Sequence, residues 1–166
     1  MPQDAKSNPE AIDAIREAEL IVFGPGSLFT SIVPNLLIEE VCDEIVKRDA
    51  MKLYICNVMT QHGETDGFTA ADHLNMILSH TKRGVVNSCL VSSGRLKYSL
   101  LVKYAEEKSF PVIFDRERLK KMGMHIFEAD VVSRSNYLRH DSKKVAKEII
   151  NSYSRLKRKW RGLKNK

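Results

Sequence analysis

Apolar residues recur along the chain in two alternating rhythms. Short runs at 20–23, 52–57, 85–91, 111–114 and within 124–132 have the length and composition of strands. Between them, segments at 9–18, 38–48, 70–82, 96–108 and from about 141 onward repeat apolar residues every three or four positions, as amphipathic helices do. In 38–48, Val41, Ile45 and Val46 share one side, while Glu39, Glu40, Asp43, Glu44, Lys47 and Arg48 turn towards solvent. The punctuation agrees with the rhythm. Asn8 followed by Pro9 is an N-cap with proline at the first helical position, Thr69 or Asp66 can cap the helix from 70, and Gly84 stops it. Strands alternating with helices predict an α/β fold with a parallel sheet covered by helices on both faces and joined by right-handed crossovers.

In such a fold the ligand crevice lies beyond the C-terminal ends of the strands. Three polar segments occupy that position: 24–31, 57–69 and 92–95. In the last helix Val145, Ile149, Tyr153, Leu156 and Trp160 form an apolar stripe, with Arg155, Lys157, Arg158, Lys159 and Arg161 around its distal end. This pattern reads as a solvated helix face or a frayed terminus, with a subunit contact or attachment to an anionic surface as alternatives.

Composition narrows the class. The chain has 166 residues, enough for one domain with a sizeable core, and a hydrophobic fraction of 43%. No apolar run approaches a membrane span, and the first residues resemble no secretion signal, so a cytoplasmic protein is expected. The formal charge of +6 is unevenly spread. From Lys143 onward ten Lys/Arg face one acidic residue, a net +9, which leaves −3 for the body. The basic balance therefore describes the tail rather than the site. Cys42, Cys56 and Cys89 lack paired spacing and read as reduced core cysteines.

Within 24–37, which reads G-P-G-S-L-F-T-S-I-V-P-N-L-L, Gly24 and Gly26 allow close backbone approach, and Ser27, Thr30 and Ser31 offer hydroxyls beside a helix start. Anion binding and a merely structural turn both fit this spacing, which is neither a dinucleotide fingerprint nor a Walker A loop. In the second segment Asn57 and Gln61 present amides suited to a base edge or a sugar hydroxyl. Glu64 and Asp66 are candidate metal or ribose ligands, although His62, Glu64, Asp72 and His73 have the spacing of caps and surface pairs rather than of a zinc site. Arg139-His140-Asp141 precedes the last helix, where Asp141 can cap and Arg139 can reach an anion. No nucleophile–base–orienter set is recognisable, so the catalytic residues are unassigned.

The first segment, together with Y-I-C-N-V-M-T-Q-H-G-E-T-D-G-F-T-A-A-D-H at 54–73 and Y-L-R-H-D at 137–141, resembles the bacterial gluconeogenesis factor family, relatives of the 2-phospho-L-lactate transferases. The similarity runs from about residue 6 to 153, with the basic extension 154–166 beyond it. It implies a three-layer, Rossmann-like, mostly parallel fold and a cytoplasmic protein that binds a nucleotide sugar of the UDP-N-acetylglucosamine type. It implies a role in growth on gluconeogenic carbon sources, cell shape and cell-wall synthesis, with subunits that pair as a homodimer. For the transferase relatives it implies transfer of a phospholactyl group from an activated nucleotide to a deazaflavin precursor, with Mg²⁺. By match, Gly24, Gly26, Ser27, Ser31 and Asn35 belong to the ligand-facing first segment, Asn57, Gln61, Glu64 and Thr65 to the second, and Arg139 to the closing contact. The family's N-terminal strands and its G-G-G-T-G-type phosphate loop do not occur here, so the chain is expected to be the C-terminal half of the family's fold and to hold about half of a ligand site.

Overall fold

The computed structural model describes residues 6–133 and 137–164. Four strands, β1 (Leu20–Phe23), β2 (Met51–Ile55), β3 (Ser88–Ser92) and β4 (His125–Ala129), form one sheet in that order, every neighbouring pair parallel. The helices are α1 (Pro9–Glu17), α2 (Val33–Leu36), α3 (Glu39–Lys47), α4 (Ala70–Ser79), α5 (Tyr98–Glu106), α6 (Arg116–Lys121) and α7 (Ser142–Lys164), with a π-helical turn at Leu28–Ile32 leading into α2. The expected α/β architecture is present, and the parallel sheet has helices on both of its faces. Among the described residues no helix is long and apolar enough to cross a membrane.

Alternation along β2 sorts the two halves of the core. Tyr54 points to the side covered by α3, α4 and α6, where Cys42, Ile45, Leu74, Ile77 and Leu119 are buried. Met51, Leu53 and Ile55 point to the other side, against Val145 and Leu156 of α7, with Ile149, Tyr153 and Trp160 packed around them. The stripe on the last helix is therefore a core face rather than a solvated one. The helix runs across residue 153 without a break, and Leu156 is only 4% exposed. Residues 165 and 166 of the basic segment lie outside the described residues.

Local chemistry explains the boundaries. Asn8 Oδ1 accepts from Glu10 N at 2.9 Å to start α1. Thr69, not Asp66, starts α4 through a reciprocal box in which Asp72 N donates to Thr69 Oγ1 and Thr69 N donates to Asp72 Oδ2. Asn87 holds the head of β3 to β2 by accepting from Lys52 N at 2.9 Å and donating to Ala50 O at 2.9 Å. The segment 111–114 is not a fourth sheet strand. It makes single bridges, Pro111 with Met59 and Ile113 with Thr69, because β4 occupies the β3 edge. α6, unforeseen in the apolar rhythm, exposes every residue except Leu119.

Arg118 of α6 donates to Asp72 Oδ1 at 2.6 Å and to Asp115 Oδ2 at 2.9 Å, tying α6 to the head of α4. The hydrogen bond from Arg118 is the main cause that holds Asp72 down at a pKa of about 2. A depressed carboxyl stabilises the fold above its ordinary pKa and loses that contribution as pH falls. Stability should therefore decline between about pH 4 and pH 2, and Arg118→Met should flatten that decline; urea titrations across that window measure it. Leu156→Ala should cost about 2–4 kcal/mol in the same assay if α7 is integral to the core.

Candidate functional site

Three loops leave the C-terminal ends of β1, β2 and β3 on one side of the molecule. The first turns at Gly24, whose φ of +87° favours glycine, and a Cβ there would stand 3.2 Å from Gly26 N and 3.4 Å from Ile55 O. Ser27 then caps the π-helical turn by accepting from Thr30 N at 3.4 Å, and it donates to Glu64 Oε2 at 2.7 Å. That contact fastens the first loop to the second.

The second loop is held from within. Gln61 N donates to Thr65 Oγ1 and Thr65 N donates to Gln61 O, both at 2.9 Å, with Thr65 fully buried. Asp66 accepts from Gly63 N at 2.8 Å and pairs with His62 Nδ1 at 3.1 Å; these contacts, the Gly63 bond first, lower its pKa. The closing segment lies across the same region. His140 Nε2 donates to Cys56 O at 3.1 Å, which fixes the tautomer, and burial pushes its pKa below that of a free histidine, so the ring is neutral at pH 7. Arg139 is exposed, its guanidinium 4.5 Å over the Tyr137 ring. Asp141 caps α7 by accepting from Lys143 N and Lys144 N.

Gly26, Ser27, Asn57, Gln61, Arg139 and His140 line one open recess of about 340 Å³. Among the described residues its only formal charge is the Arg139 guanidinium, and no carboxylate lines it. The Gln61 side-chain oxygen is buried without a hydrogen-bond donor. An unsatisfied acceptor of this kind costs about 1–3 kcal/mol until a donor reaches it. Asn57 also lines a neighbouring hollow of about 230 Å³ with Ser92, Ser93 and Gly94, and the last two continue into a third of about 450 Å³ beside Arg95, Lys97 and Leu138. The three polar loops thus meet, with Asn57 as their shared wall.

Of the expected ligand-facing residues, Gly26, Ser27, Asn57, Gln61 and Arg139 come together. Glu64 stands one contact behind, through Ser27. Gly24 shapes the turn and Thr65 the second loop, while Ser31 and Asn35 lie on an exposed surface where Asn35 Nδ2 donates to Ser31 O at 2.7 Å. Neither Asp72 nor His73 lines the recess: Asp72 serves the α4 cap, and His73 is buried with Nδ1 on Thr69 O at 2.9 Å. Met59, Leu138 and His140 complete the wall. Leu138 and His140 flank Arg139 in the closing motif, which is the signal that could have found them. The cysteines are buried and unpaired, and burial pushes the Cys89 thiol up to about 12, so it is no nucleophile at neutral pH.

The family described as 2-phospho-L-lactate transferase CofD matches residues 1–132. The gluconeogenesis factor of Halalkalibacterium halodurans is 45% identical over 155 residues, which is 93% of this chain and 48% of that protein. The gluconeogenesis factor of Bacillus subtilis is 45% identical over 151 residues, 90% of this chain and 48% of its own length. A crystal structure of a UPF0052-family protein from Bacillus halodurans superposes with a TM-score of 0.87 at 45% identity, covering 90% of this chain and 48% of that one. The chain spans about half the length of the curated relatives it matches.

Because Thr65 Oγ1 is the acceptor that closes the second loop, Thr65→Val should destabilise the fold by about 1–2 kcal/mol. Amide exchange at Gln61 should rise in the same variant, and unchanged protection there would show that the loop is held by other means.

Proposed function

The chain belongs to the 2-phospho-L-lactate transferase CofD family, and we propose that it acts there as a gluconeogenesis factor that binds a nucleotide sugar of the UDP-N-acetylglucosamine type. The observation that carries this reading is the convergence of Asn57, Gln61 and Arg139 on one recess. The Asn57 and Gln61 amides are each of the kind that offers both donor and acceptor to a base edge or a sugar hydroxyl. The planar fork of Arg139 suits a diphosphate. At about 340 Å³ the recess holds only part of such a ligand. The sugar would extend past Asn57 into the hollow beside Ser92, Ser93 and Gly94.

The two relatives described above, named gluconeogenesis factors, support the gluconeogenesis-factor part of this reading. In it, a cytoplasmic protein couples the supply of a cell-wall precursor to growth on gluconeogenic carbon sources and to cell shape. Its subunits pair, and its site is shared with the part of the relatives' length that this chain does not span.

The family's description favours a second reading, transfer of a phospholactyl group from an activated nucleotide to a deazaflavin precursor with Mg²⁺. The described residues do not fit that metal. Among them no carboxylate lines the recess, an oxygen of Glu64, behind it, already accepts from Ser27, and Asp130, the carboxylate of the third hollow, is paired with Lys144 at 3.0 Å. No step is therefore derived through Mg²⁺.

Calorimetric titration with UDP-N-acetylglucosamine tests the leading reading. Saturable heat and a raised Tm are expected, with affinity falling about tenfold or more in Arg139→Ala. A folded wild-type chain that gives neither heat nor stabilisation at millimolar ligand contradicts it.

A further inference from the structure

Among the described residues β4 meets only β3, and its outer edge is unpaired. His125 N donates to Asn87 O and Ser93 N donates to Ala129 O, so the odd-numbered residues of β4 bond towards β3. By the alternation of a parallel ladder, the backbone N–H and C=O groups of Ile126 and Glu128 point outward. Helices from both layers overhang this edge. α6 lies on the side to which Ile126 packs, and α7 on the side of Phe127.

Between the overhangs lies a recess of about 380 Å³ with Met124, Ile126, Phe127 and Leu156 as an apolar floor. Arg116, Lys120, Arg155 and Lys159 form its rim, and among the described residues no carboxylate lines it. Outside it, Lys120 pairs with Glu117 at 2.7 Å, Arg155 with Glu148 at 3.6 Å, and Arg116 with Glu128. Such solvated pairs are weak and exchangeable. Lys159 has no carboxylate partner among the described residues.

We propose that this groove docks an acidic segment of another protein in extended conformation, which adds to the sheet as a strand beside β4. The partner's backbone satisfies the outward groups of Ile126 and Glu128. Its apolar side chains reach the floor, and its carboxylates meet the four cations of the rim. Charge selects this occupant over a second copy of the chain, because two copies joined edge to edge would bring two cationic rims together. The floor selects it over nucleic acid. Phe127 is the only aromatic side chain lining the groove besides the His125 ring, and it packs into the core beneath α7 rather than offering a face for bases to stack on.

The test is fluorescence anisotropy of the folded chain with a labelled peptide of about eight residues that alternates glutamate and valine. Saturable binding is expected, weakening with salt and falling about tenfold or more in the double variant Lys120→Glu/Lys159→Glu, two exposed side chains whose reversal leaves the core intact. The same peptide with every backbone amide N-methylated, so that it keeps its charge but has no N–H left to pair as a strand, is expected not to bind. Equal binding of the methylated peptide, an unchanged affinity in the double variant, or no binding to the wild type each overturns the proposal. So does tighter binding of polyuridylate or phosphatidylserine vesicles through the same two lysines, or a homodimer that their reversal dissociates.

Discussion

The order of the strands constrains everything else in this molecule. When parallel strands follow one another across a sheet in sequence order, right-handed crossovers deliver each connecting helix to the same face. That face is covered by α1, α3, α4 and α6. The opposite face exposes Met51, Leu53, Ile55 and Leu90, and no crossover can reach it. α7 resolves the problem by running back across the sheet with Val145, Ile149, Tyr153, Leu156 and Trp160 as its inner stripe. The basic character of its distal end follows from that placement: the inner stripe is spoken for, so Arg155, Arg158 and Lys159 are left outside.

The same constraint locates the proposed ligand face. Parallel strands end together, so the loops after β1, β2 and β3 are brought side by side without any long-range signal in the sequence. Once adjacent, they are locked to one another by few contacts. Ser27 to Glu64 joins the first two, and His140 to Cys56 O holds the closing segment over the end of β2. Asn57, directly beyond β2, then has the first loop on one side and the third on the other. A ligand that reads Asn57 is therefore positioned to touch all three loops.

Much of this was legible in the sequence, and what was not has identifiable causes. The strand–helix alternation and the caps at Asn8 and Thr69 are local signals, and local signals survive folding. The run at 111–114 carries the apolar signature of a strand, but pairing is a competition that sequence rhythm does not record, and β4 won the β3 edge. α6 went unseen because one apolar residue, Leu119, cannot make a period. The stripe on α7 was visible, yet an amphipathic pattern does not say what its apolar face meets. In the candidate site, spacing and resemblance pointed to segments that the fold brings side by side. They did not reveal which polar groups are engaged locally: the Thr65 hydroxyl is used within its own loop, and that of Ser27 binds Glu64.

The loops beyond β1 to β3 are proposed to form one continuous ligand face centred on Asn57. The most direct test is an amide chemical-shift titration of the labelled chain with UDP-N-acetylglucosamine. Perturbations are expected at Gly26, Asn57, Gln61, Ser93, Gly94 and Arg139, moving with one common saturation curve, while Ile126 and Glu128 on the β4 edge stay still. Shifts concentrated along β4 and α7, or confined to one loop with Asn57 unmoved, would contradict it.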